Sequence, residues 1–173
     1  MTLARGLVLG WLLSACLPGS EVELRALAGL GITTLGGYDR EDGGTWGVTR
    51  HAGMRMLWSP DPEWAWGMEI LAGSTRFPGE AGAERWTAVG LAAEWRPLRV
   101  AHLSVGPSDY LTSDPPAVDG NRRHFFGFHT TLGFEPVIYW QKVVPLLAYR
   151  TDTVFTHSLT VVRSVSLGLR YNF

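Results

Sequence analysis

The chain has 173 residues, a formal net charge of −1 and only 18% charged residues. That length suits a single domain, the near-neutral balance without a basic stripe argues against a nucleic-acid partner, and the charge content falls below the usual quarter of a soluble domain. One cysteine excludes an intramolecular disulfide, and the 8 tryptophans and 21 glycines are abundant for the length.

Residues 1–20 read as an export signal and are set apart from the fold. Arg5 gives a modest basic start, and Leu7 to Ala15 is an apolar stretch well short of the ~20 residues that a spanning helix needs. Leu13-Ser14-Ala15-Cys16 is similar to the signal of bacterial lipoproteins and makes Cys16 a candidate lipidation site. The alternative is an ordinary cleavable signal, whose need for small residues before the cut is met poorly by Leu13 or Pro18. No later apolar run is long, so any membrane insertion must use strands.

Residues 21–173 repeat with period two and divide into eight strands. In chain order these are Val22–Leu35, Trp46–Trp58, Trp64–Phe77, Arg85–Arg96, Arg99–Pro107, His124–Glu135, Trp140–Thr151 and Thr160–Phe173. The segments between them alternate: longer stretches after the first, third, fifth and seventh strands, the first of them polar and glycine-rich, and short turns such as SPDPE after the second. This asymmetry, with an even strand number, is expected of an up-and-down transmembrane β-barrel in an outer membrane.

Each strand has one apolar and one polar face. In the last strand Val165, Leu167, Leu169, Tyr171 and Phe173 alternate with Ser164, Ser166, Gly168, Arg170 and Asn172. A soluble barrel would turn the apolar face inward. Volume argues for the reverse, because an eight-stranded lumen is only wide enough for side chains to fill it. Ten aromatic side chains, from Trp58 to Phe173, share the apolar face, whereas the polar face is rich in glycine and small residues. The apolar face is therefore assigned to lipid. Trp58, Trp64, Trp95, Trp140, Tyr171 and Phe173 fall near the short-turn end as an interfacial girdle.

The final LGLRYNF, apolar at alternate positions and ending in Phe173, resembles the C-terminal strand of the small eight-stranded outer-membrane β-barrel family. The resemblance covers roughly Val22 to Phe173 and implies an all-β, eight-stranded antiparallel barrel. It also implies handling by the barrel-assembly machinery and residence in the bacterial outer membrane. It is specific for architecture and nearly silent on function, because unrelated tasks share this fold.

The inward positions hold Glu23, Arg25, Arg55, Glu69, Glu94, Lys142, Arg150 and Arg170, with His51, His102 and His129 beside them. Buried charges must be paired, so the set is read as an ionic network plugging the lumen. The histidines sit on three different strands without a close-spaced ligand pair, so no metal and no cofactor are assigned. Thr156-His157-Ser158 resembles the His and Ser of outer-membrane lipid A deacylases. Here the two are adjacent, which points them to opposite faces of a strand, and no acid follows to orient the histidine; no catalytic residue is assigned. Arg50 and Arg163 fall on the lipid-facing parity near the long-loop ends and are candidate contacts to lipopolysaccharide. The preferred function is a non-enzymatic barrel with a filled polar lumen, serving a structural, adhesive or partner-binding role through its loops. The alternative is an outer-membrane lipid-modifying enzyme, and after that a narrow conduit.

Overall fold

The computed structural model describes residues 21–36, 46–78, 82–113, 122–136, 142–156 and 159–173. Residues 1–20 with Cys16, together with Trp140 and the His157-Ser158 pair, lie outside them. The eight strands are β1 (Glu21–Gly36), β2 (Trp46–Asp61), β3 (Trp64–Arg76), β4 (Glu84–Leu98), β5 (Ala101–Ser113), β6 (Arg122–Phe134), β7 (Val143–Phe155) and β8 (Leu159–Asn172). Each pairs antiparallel with its sequence neighbours, and β1 pairs with β8 to close the barrel. Closure gives every strand a paired neighbour on both sides, the condition for placing a sheet in hydrocarbon. Strands of 13–16 residues exceed the ~9–11 needed to cross a bilayer, so the barrel projects beyond it.

The period-two sequence becomes period-two burial. Along β2 exposed and buried positions alternate almost without a break. The exposed set is apolar: Leu30 is 68% exposed and Leu167 69%, with Met54, Ile70, Leu91 and Leu132 around the same wall. The buried set is charged: Arg25, Arg55 and Glu94 are 0–2% exposed. A soluble protein has this arrangement the other way round. A predominantly apolar wall of this extent is the surface of a barrel whose solvent is lipid.

Two strands differ from the sequence expectation. β5 runs on to Ser113, past Pro107, where proline composition suggested an end. The β4–β5 pairing has a gap between Gly90↔Ser108 and Ala93↔Val105, which tolerates the missing proline N–H, and the strand then continues. β7 begins at Val143 and extends to Phe155. Its Thr151-Asp152-Thr153 stretch is polar at every position, so the alternation stops at Thr151 and the sequence from Asp152 reads as loop. The connections shift accordingly: eight residues join β6 to β7, and three join β7 to β8. The strict short-turn and long-loop contrast holds only for the first five connections.

At the short-turn end Trp64 and Trp95 are each 42% exposed, Tyr171 37% and Phe173 77%. Trp66 joins the predicted girdle, stacking on Trp64 with centroids 6.2 Å apart, and Trp64 in turn lies 6.4 Å from Trp95. Trp58 is half-buried, opposite Trp66 on the same face. A second outward aromatic group, Phe126, Phe128 and Phe155, lies on β6 and β7.

Candidate functional site

The barrel register sets up the interior chemistry. One row of paired residues runs Arg170, Arg25, Arg55, Glu69, Gly90, Ser108 from β8 through β1 to β5. Three neighbouring arginines on one face repel each other, so the lumen must supply carboxylates from elsewhere. Gly90 next to Glu69 leaves the space this requires, since a Cβ there would stand 3.3 Å from the Glu69 Cγ.

The carboxylates arrive in two layers. Near the short-turn end Arg25 donates to both oxygens of Glu94, at 2.7 and 2.8 Å, and to Glu23 at 3.0 Å. Arg96 joins Glu23 at 2.7 Å and Glu94 at 2.9 Å. Glu135, just beyond β6, lies 3.2 Å from Arg25 and 2.5 Å from Arg170. Burial raises the Glu135 carboxyl above the usual carboxylate range despite the opposing pull of these two arginines. In the middle of the barrel Glu69 takes Arg55 at 2.6 Å and a two-point contact from Arg150 at 2.7 and 2.9 Å. Arg150 also holds Asp152 at 2.6 and 2.8 Å, and the Tyr110 hydroxyl donates to the same carboxylate. Arg55 and Glu94, 3.7 Å apart, link the two layers.

Among the described residues these layers match charge for charge. Arg25, Arg55, Arg96, Arg150 and Arg170 face Glu23, Glu69, Glu94, Glu135 and Asp152. The sequence expectation lacked Arg96, Glu135 and Asp152 and carried an excess of positive charge. Lys142 must be removed from it: this residue is exposed in the turn before β7, because that strand starts one residue later. The remaining expected residues, Glu23, Arg25, Arg55, Glu69, Glu94, Arg150 and Arg170, all take part in the layers. Arg96 and Glu135 lie on the inward parity of Glu94 and Gly133, a signal that alternation alone could have supplied.

The histidines do not converge. His102 lies 3.0 Å from Arg25, His129 lies 3.0 Å from Ser108, and His51 lies 2.9 Å from Ser166. Among the described residues no three metal-ligating side chains come together. The two Ser–His pairs face the lumen rather than lipid. His129 contacts both Ser108 and Glu69 through the same Nδ1, so it does not relay between them.

Two recesses open at the ends. At the loop end a cup of about 250 Å³ is walled by Trp86, Tyr110, Phe125 and Val154, with Thr33 and Thr75 at its side. Beside it, Leu71, Ala88, Tyr110 and Val154 form an apolar cluster. At the turn end a vestibule of about 420 Å³ is lined by Glu23, Arg96, His102, Glu135 and Arg170. The ionic layers stand between the two.

Solved structures share this architecture. Neisserial surface protein A superposes with a TM-score of 0.66 at 13% identity, over 90% of this chain and 99% of that one. The chain has the fold of the small eight-stranded outer-membrane β-barrels. OprG from Pseudomonas aeruginosa, an outer membrane protein, gives 0.57 at 12% identity over 90% and 96% of the two chains. The N-terminal β-barrel domain of Pseudomonas aeruginosa OprF gives 0.54 at 10% identity over 87% and 97%. No protein-family model and no curated protein matches the sequence. At these identities the likeness is one of fold. Together with the apolar wall of this chain, it puts the barrel in the bacterial outer membrane.

Proposed function

We propose that this outer-membrane barrel is a sealed, non-enzymatic scaffold whose loop end engages a partner or surface outside the cell. The observation that carries the reading is the charge-matched pair of arginine–carboxylate layers between the two end recesses. A conduit needs a continuous wet path, and side chains less than about a tenth exposed occupy the middle of this lumen. A lipid-modifying enzyme needs a nucleophile and base at the lipid surface, whereas Ser108–His129 and Ser166–His51 are enclosed. The loop end, with its segments 37–45, 77–83 and 114–121, faces outward in barrels of this type, where the turns face the periplasm.

Planar-bilayer recording of the purified wild-type protein tests the sealed lumen, with an acyl-release assay on lipid A run in parallel. The expected result is no steady unitary current and no acyl release above a protein-free control. Stable single-channel currents would replace this reading with the conduit, and sustained acyl release with the enzyme.

A further inference from the structure

Three arginines on the outer wall take no part in the ionic layers. Arg50 on β2, Arg76 on β3 and Arg163 on β8 are all exposed and point away from the lumen. Their register brings them together. Arg163 pairs with Ile32, Ile32 with Val48 and Val48 with Arg76, one row across β8, β1, β2 and β3. With strands ~4.8 Å apart, that row spans ~14 Å. Arg50 sits in the next outward row, opposite Ser74, which makes it the diagonal neighbour of Arg76 at ~7–8 Å.

Arg50 and Arg163 lie within the apolar wall, not above it. Trp46 and Val48, 53% and 55% exposed, lie on the loop side of Arg50. Leu159, 47% exposed, and Val161 lie on the loop side of Arg163. A guanidinium within an apolar, lipid-facing wall is costly unless an anion meets it. Among the described residues no carboxylate pairs with any of the three, and the neutral Ser74 hydroxyl takes the Arg50 Nε at 3.2 Å. Between Arg50 and Arg76 lies a depression of about 400 Å³ whose other walls include Leu30, Val48 and Gly82. A cationic rim over an apolar floor suits an amphiphile with a phosphorylated head.

We propose that Arg50, Arg76 and Arg163 form a lipid-facing site for the phosphates of the lipid A portion of lipopolysaccharide, with its acyl chains running toward the midplane over Leu30 and Val165. The planar guanidinium fork matches phosphate oxygens two at a time, and three such groups within ~14 Å can reach more than one phosphate on a single head group. The proposal rests on the loop end facing outward. It does not depend on whether the lumen conducts, so the conductance experiment and the one below fail separately.

The test is native mass spectrometry of the full chain in detergent micelles. The probes are bisphosphorylated lipid A, the same lipid A with both phosphates removed, a zwitterionic phospholipid and inorganic phosphate. Wild-type protein is expected to bind bisphosphorylated lipid A about tenfold more tightly than the dephosphorylated form, with no retained adduct of inorganic phosphate. The triple variant Arg50→Gln, Arg76→Gln, Arg163→Gln should lose that preference, the corresponding triple Lys variant should keep part of it, and Arg99→Gln in the β4–β5 turn should leave it unchanged. Equal binding of the two lipid A forms by wild type overturns the proposal without recourse to any variant. So does undiminished preference in the triple Gln variant, or inorganic phosphate binding as tightly as the lipid, which would make this a site for the free anion.

Discussion

Replacing Glu69 by alanine is expected to lower the stability of the folded barrel by about 3–5 kcal/mol, the range for removing one partner of a buried ion pair. Glu69 is the anion of the central layer. Its two oxygens hold Arg55 and Arg150, and its loss leaves both guanidinium groups facing each other across an enclosed lumen. Asp152 keeps part of Arg150, but no second carboxylate lies within hydrogen-bonding distance of Arg55, whose other contacts are the neutral Thr131 hydroxyl at 3.3 Å and Glu94 at 3.7 Å. The control is Glu63→Ala. This exposed residue in the β2–β3 turn contributes its backbone carbonyl to Arg96, which the substitution preserves, so a change within about 0.5 kcal/mol is expected. Equilibrium urea unfolding in lipid vesicles measures both. The double variant Glu69→Ala, Arg150→Ala should recover part of the loss, because it removes a stranded cation along with its anion. Equal effects of Glu69→Ala and Glu63→Ala would mean that the central layer is open to water.

The second large effect is expected on the other face. Leu167 is 69% exposed near the middle of β8. Arginine at the bilayer midplane of a barrel costs about 2–4 kcal/mol and near the interface about 0–1. Leu167→Arg should therefore destabilise the vesicle-inserted barrel by the larger amount, and Leu159→Arg at the loop end of the same strand by the smaller. The same depth rule explains why Arg163, between these two positions, calls for an anion in the outer leaflet. Unfolding in vesicles of the two variants reads the gradient directly. A Leu167→Arg cost no greater than that of Leu159→Arg would remove Leu167 from the hydrocarbon.

Alternation carried most of the architecture, and particular residues show where it stopped. Val165, Leu167 and Leu169 against Ser164 and Ser166 specify β8 and its faces without any structure, because a one-residue slip would exchange the two solvents. Arg25, Arg55 and Glu69 were legible as inward for the same reason. Asp152 was not: flanked by Thr151 and Thr153, it has no apolar neighbour to set a parity, so the strand around it looks like loop. Tyr110 was lost behind Pro107, read as a break although the ladder tolerates it. The pairing itself was out of reach. Arg25 meets Glu94 across the lumen from a strand three places away, and Arg170 meets Glu135 rather than Glu69 or Glu94. Such contacts depend on the stagger with which the sheet closes, which no single strand encodes.

The charged face lines the lumen and the apolar face meets lipid. Single cysteines in β8, placed in a chain carrying Cys16→Ser, test this orientation. Fluorophores at Leu167→Cys and Leu169→Cys, and at Ser164→Cys and Ser166→Cys, are read against a quencher confined to the bilayer. Leu167 and Leu169 are 69% and 54% exposed, and Ser164 and Ser166 are each 2% exposed. Strong quenching is expected at the two leucine positions, with the two serine positions unlabelled or unquenched. Quenching at the serine positions with the leucine positions shielded would contradict this orientation and turn the barrel inside out.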